Sequence, residues 1–254
     1  MINKMFSLFK SLKPANGFGK VFHFFLKIIL PLLVFILIRL DFIQLAFIVV
    51  ILSKWRMFAV KPRFWLVNLL SNSIDIVVGL SLVYFMTYAS PNVYWQLLWT
   101  VSYVAWLVLI KPSENILLVS LQAFIGQFLG LTALYLIWSD GPIWGLTVIT
   151  ALICYVSARH FLNSFDEPYD NLIIFFWTYV GATLAWLTSH WLIYYKVFSQ
   201  PVMLLSILGY GLAVVYYLDH YKKLKKFSKW EITGVFILSL IIIIFYSNWT
   251  YRVV

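Results

Sequence analysis

Long runs of apolar residues recur along the chain, and the polar residues gather in short clusters between them. The runs are continuous rather than alternating, a pattern that predicts helices and not strands. Residues 21–38 form the first run, with Pro31 in its middle. Arg39 and Asp41 follow, and then a short run over residues 42–53. That second run is very short for a span. Two arrangements compete: a short second span, or a re-entrant hairpin formed with the first run and buried against the rest. Further runs follow at 64–90, 93–110, 114–138, 143–156, 171–195, 201–218 and 231–247. The expected fold is an all-α, polytopic integral membrane helical bundle with about nine transmembrane helices. A basic segment over residues 1–20 precedes a single transmembrane domain over 21–254. In that leading segment Ile2, Met5, Phe9 and Leu12 recur at helical spacing, apart from most of the lysines. It reads either as an interfacial helix on an anionic leaflet or as a charged tail.

Composition strengthens the membrane assignment. The chain has 254 residues, of which 63% are hydrophobic and 11% charged, with a mean hydropathy of +0.91. Soluble domains are nearer about 45–50% apolar and about 25% charged. A soluble core could not hide this much apolar surface, so lipid has to solvate most of it.

The net charge of +10 acquires a meaning from where the cations sit. Of the 19 Lys and Arg residues, Arg39, Lys196 and Arg252 fall on one side of the expected topology and Lys27 lies within the first run. The others fall on the opposite side. Such asymmetry predicts a cytoplasmic N-terminus and an external C-terminus in a plasma membrane, with anionic lipid as partner of the basic cytoplasmic loops. No nucleic-acid motif accompanies the charge, so nucleic acid is not an expected partner. Cys154 is the only cysteine, which excludes an internal disulfide and a cysteine metal cluster.

Candidate chemistry lies in a few polar clusters. The segment 157–170 (SARHFLNSFDEPYD) holds Arg159, His160, Asn163, Asp166, Glu167 and Asp170 on the predicted cytoplasmic face. Cations at one helix end and Asp170 at the start of the next make a well-capped connection. The same residues could form a polar site at the membrane edge, with His160 relaying protons. Asn68, Asn72 and Asp75 are spaced by four and three, which places them on one helix face. A carboxylate inside the membrane has to face the bundle, find a cation or take up a proton. Arg39 and the basic stretch 54–63 could supply that cation. Alternatively the helix starts near Ser71 and Asp75 lies at the interface. Arg39 and Asp41, at a break between runs, read as a turn anchored in headgroups or as the lining of a broken-helix pocket.

Ala123, Gly126, Gly130 and Ala133 form a small-residue face. Thr147, Thr150, Ala151, Cys154 and Ser157 form another, and Gly181, Ala185 and Ser189 a third. Such faces let helices approach closely. Gln122 and Gln127, with Thr147 and Thr150, could instead line a solute path. The four histidines are not spaced as a helical metal pair, no metal or cofactor is expected, and no GxSxG or HExxH motif is present. The leading expectation is a transporter or channel for a small solute or ion. A non-catalytic scaffold docking a protein partner on its cytoplasmic face is the alternative. A membrane enzyme using His160 and the nearby acids is a third.

Overall fold

A computed structural model describes residues 18–111, 116–138, 140–165, 169–190, 194–195, 197–220 and 226–245. The structure is all-α apart from one small hairpin and is 87% helical. Its helices are α1 (Phe18–Arg39), α2 (Ile43–Leu52), α3 (Trp65–Ser71), α4 (Ser73–Tyr88), α5 (Val93–Ala105), α6 (Ile116–Ile137), α7 (Ile143–Leu162), α8 (Asp170–Ser189), α9 (Gln200–His220) and α10 (Lys226–Phe245). Strands β1 (Tyr194–Tyr195) and β2 (Phe198–Ser199) pair antiparallel between α8 and α9.

Six stretches among the described residues are helical, long and apolar enough to cross a membrane: Pro62–Tyr88, Val93–Ile110, Ile116–Ile137, Ile143–Leu162, Asp170–Ser189 and Gln200–His220. They fit a membrane-embedded protein. The count is six, where the sequence pattern leads one to expect about nine. The shortfall has a physical reason at α2, whose 10 residues rise only about 15 Å. The leading segment 1–17 lies outside the described residues, so the expected interfacial helix does too.

The chain divides into two compact units. One draws on Met1–Ser53 and Phe85–Pro112. There α1 packs on α2 and α5, burying Val34, Ile38, Ala46, Val50, Met86 and Tyr103. Pro31 lies inside α1, as membrane helices tolerate better than soluble ones. The turn from α1 to α2 is made by Asp41, at φ 59°; this left-handed conformation is one that Asp adopts more readily than most residues. Asp41 is exposed, and Arg39 Nη1 donates to the Ser90 carbonyl at 3.2 Å. Gln96 is fully buried and its Nε2 donates to the Met86 carbonyl at 3.2 Å. The α5 helix continues into a π-helical turn over Trp106–Ile110.

The other unit draws on Lys54–Tyr84 and Ser113–Val254. Its core joins Leu131 and Tyr135 of α6, Leu146, Ile153 and Cys154 of α7, Trp177 of α8, and Val202 and Leu205 of α9. The small-residue faces lie at its closest helix contacts. A Cβ on Gly126 would stand 2.9 Å from Ile74 Cδ1, and one on Gly130 would stand 2.5 Å from Val77 Cγ1 and 3.4 Å from Ile153 Cγ2. Thus α4 and α7 both press on the glycine face of α6. A Cβ on Gly181 would stand 2.5 Å from Cys154 Sγ, so the small faces of α7 and α8 meet each other. Without a hydrophobic drive between helices in lipid, such close approach supplies the dispersion contacts that hold them together. On their outer sides Val148, Leu152, Leu172, Phe175 and Phe176 are more than half exposed. Water would penalise a face of that kind and lipid does not.

Candidate functional site

The run expected to cross from residue 64 to 90 is interrupted. Asn72 separates α3 from α4, with φ −101° and ψ 2°. Side chains around it compete with the helical ladder for backbone carbonyls. Asn72 Nδ2 and Ser71 Oγ donate to the Asn68 carbonyl at 2.9 and 3.0 Å. Ser73 Oγ donates to the Leu70 carbonyl at 2.6 Å. The local sequence NLLSNS therefore writes the break, and Asp75 falls in the first turn of α4. A helix N-terminus carries partial positive charge and favours a carboxylate there.

Asp75 points into the protein and is 6% exposed. Its Oδ2 forms an ion pair with Lys54 Nζ, and Lys54 is 8% exposed. Lys54 immediately follows the cap of α2. The stretch carrying it is pinned to α3: Asn68 Nδ2 donates to the Met57 carbonyl at 3.4 Å and Trp65 Nε1 to the Val60 carbonyl at 3.0 Å. Phe58 and Trp65 meet edge to face, with ring centroids 5.6 Å apart. Of the two cation sources that the sequence offers Asp75, the 54–63 stretch provides the partner, while Arg39 is engaged with Ser90.

Depth follows from the helix contacts. Ile74 packs where Gly126 lacks a side chain, about 15 Å along α6 from Ile116 at about 1.5 Å per residue. That is close to the middle of a helix of 22 residues. Asp75, the next residue, therefore sits near the mid-length of this helix group. Gln122 lies one turn of α6 nearer the end where α6 begins and α7 finishes. There His160 Nε2 donates to Gln122 Oε1 at 2.9 Å. Gln122 is 6% exposed and His160 is half-buried. His160 meets α6 at Gln122 and Ile74 meets it at Gly126, one turn further along the same face, so the ion pair and the His160–Gln122 bond lie on adjacent turns.

The other residues singled out from the sequence are placed elsewhere. Gln127 joins three helices: its Oε1 accepts from Trp177 Nε1 at 3.1 Å and its Nε2 donates to the Leu205 carbonyl at 3.0 Å. Arg159 Nη1 donates to Tyr155 OH at 3.3 Å. Asn163 caps the C-terminus of α7 and is exposed, and Asp170 opens α8. Asp166 and Glu167 lie outside the described residues. Among the described residues no group of three His, Cys, Asp or Glu side chains could hold a metal ion.

The sequence offers the stretch 54–63 as a cation source without singling out Lys54. The one local signal is that Lys54 directly follows the short apolar run. Trp177 was also passed over. It lies in the middle of α8 rather than at an end, and an indole N–H away from the interface needs a buried acceptor. No family model, no curated protein and no solved structure matches this chain.

Proposed function

We propose that this chain is a plasma-membrane transporter or channel for a small solute or ion, with the Lys54–Asp75 pair as its working centre. The observation that carries the reading is the placing of that pair: two opposite charges, both largely buried, halfway along apolar helices and beside a helix break. Taking two charges out of water costs several kcal/mol per ion, and apolar side chains of similar volume often serve stability as well or better. Ionisable groups inside a membrane bundle commonly mark ion and substrate pathways, and broken helices at mid-membrane commonly build the binding site.

On this reading the described helices make nine passes: the six long ones, α1, α10, and a short second pass formed by α2 with the irregular stretch after it. The basic loops lie on the cytoplasmic side against anionic lipid, with the N-terminus inside and the C-terminus outside. The two glutamines then divide their roles. Gln122 belongs to the polar centre, and Gln127 ties α6 to α8 and α9.

The reading requires water to reach the pair from at least one side. Asn72 stands at the helix break, three residues before Asp75. With Cys154 replaced by alanine, Asn72→Cys in intact membranes is expected to react with a charged, membrane-impermeant thiosulfonate added to one side. Val148→Cys, on the exposed apolar side of α7, is expected to resist the same reagent. Position 72 reacting only after denaturation would mean a dry, purely structural ion pair, and the transport reading would be lost.

A further inference from the structure

We propose that the ion coupled to this centre is the proton, and that His160, held by Gln122, relays it to Asp75. The inference rests on the transport reading above and names its coupling ion.

The geometry sets an order along the helix group. His160 lies within one turn of the C-terminal end of α7, whose last residue is Leu162. Gln122 lies about 9 Å along α6 from that same end, and Asp75 lies at about 15 Å by its neighbour's contact with Gly126. The half-buried imidazole thus stands between the helix ends and the buried carboxylate. The Gln122 carbonyl oxygen accepts from Nε2, which fixes the proton of the neutral ring on Nε2 and leaves Nδ1 as the open base. Among the described residues, Gln122 on α6 supplies the ring's hydrogen bond, and Asp75 on α4 follows Ile74, which meets the same face of α6 one turn further in. On its own helix, Arg159 bonds Tyr155 OH.

A metal cation is poorly served here. Asp75 is already matched by the Lys54 ammonium, and the described residues offer no cluster of ligands for a metal. A proton needs only one basic oxygen. In the step, a hydronium ion at the α7 end gives a proton to His160 Nδ1, leaving water and forming the imidazolium. The same proton then passes through water to an Asp75 carboxylate oxygen, and the ring returns to neutral. Asp75 becomes a neutral acid and Lys54 loses its counter-charge. One proton has moved inward, no bond other than O–H and N–H is made or broken, and the pair opens. A buried ammonium that loses its partner has to be compensated by an anion or by a change of conformation, which gives the proton a means of driving transport.

The test is a rapid pH drop on the purified full chain in lipid nanodiscs, followed by infrared difference spectroscopy. The carbonyl stretch of a protonated carboxylic acid is assigned to Asp75 by its loss in Asp75→Asn. The wild type is expected to gain that band, and His160→Gln is expected to gain the same final amplitude at least about tenfold more slowly, the low end of what a positioned acid–base group contributes. Gln122→Leu keeps the imidazole but frees it, and is expected to slow the rise by a smaller factor. Equal rates in all three proteins would overturn the relay while leaving proton coupling and the transport reading intact. No Asp75 band at any pH at which the protein stays folded would overturn proton coupling itself. Labelling at position 72 would still report independently on whether the centre is open to water.

Discussion

Asp75→Ala will destabilise the protein by about 3–5 kcal/mol, and Lys54→Ala by a similar amount, because each leaves one buried charge without its partner. Both residues are under one-tenth exposed, so the little solvent that reaches the survivor does not replace its lost counter-charge. Replacing both together, as Lys54→Met with Asp75→Leu, will recover most of the loss. The double variant buries no charge and keeps the volume filled, and such replacements of buried pairs range from neutral to stabilising. Unfolding of the four proteins in one detergent measures the cycle. A double variant as unstable as the sum of the singles would mean that the two side chains do not act on each other. The same double variant separates stability from function. On the proposed reading it is a well-folded protein that moves nothing.

The second large effect is steric. Gly130→Leu will cost upward of about 1–3 kcal/mol, the usual range for overpacking a filled site. Even its Cβ would stand 2.5 Å from Val77 Cγ1 and within contact of Ile153, so two neighbouring helices have to move. Val77→Ala in the same chain removes the methyl groups in the way and will restore part of the loss. Gly234→Ala is the control. Nothing lies within 4 Å of a Cβ at that position on α10, and alanine suits a helix better than glycine by roughly 0.5–1 kcal/mol. Thermal unfolding in detergent ranks the three. Equal tolerance at positions 130 and 234 would show that the glycine face does not hold α4 against α6.

Much of this arrangement was legible in the order of residues. Continuous apolar runs specified helices, and the small-residue spacing of Gly126 and Gly130 specified which face of α6 is approached closely. The carboxylate of Asp75 advertised itself because it interrupts an apolar run without a neighbouring charge. What the pattern could not show was distance between segments far apart in the chain. Nothing local distinguishes Lys54 from Arg56 or Lys61 as the partner of Asp75, because that choice depends on where a half-length helix stops. The break at Asn72 was half visible. The alternative in which the helix begins near Ser71 anticipates α4 beginning at Ser73, whereas the short helix α3 before the break and the burial of Asp75 in protein were not legible in it. Gln122 and Gln127 look alike in sequence and differ in what tertiary packing brings to them: an imidazole for one, an indole and a backbone carbonyl for the other.

Transport through the Lys54–Asp75 centre is tested most directly by charge movement. Proteoliposomes adsorbed on a supported membrane electrode and given a sudden step to lower pH are expected to produce a transient current, as protons reach a carboxylate buried halfway across the bundle. Asp75→Asn in the same lipid, folded and present in equal amount, is expected to lack that transient. Indistinguishable currents from the two proteins would contradict the account.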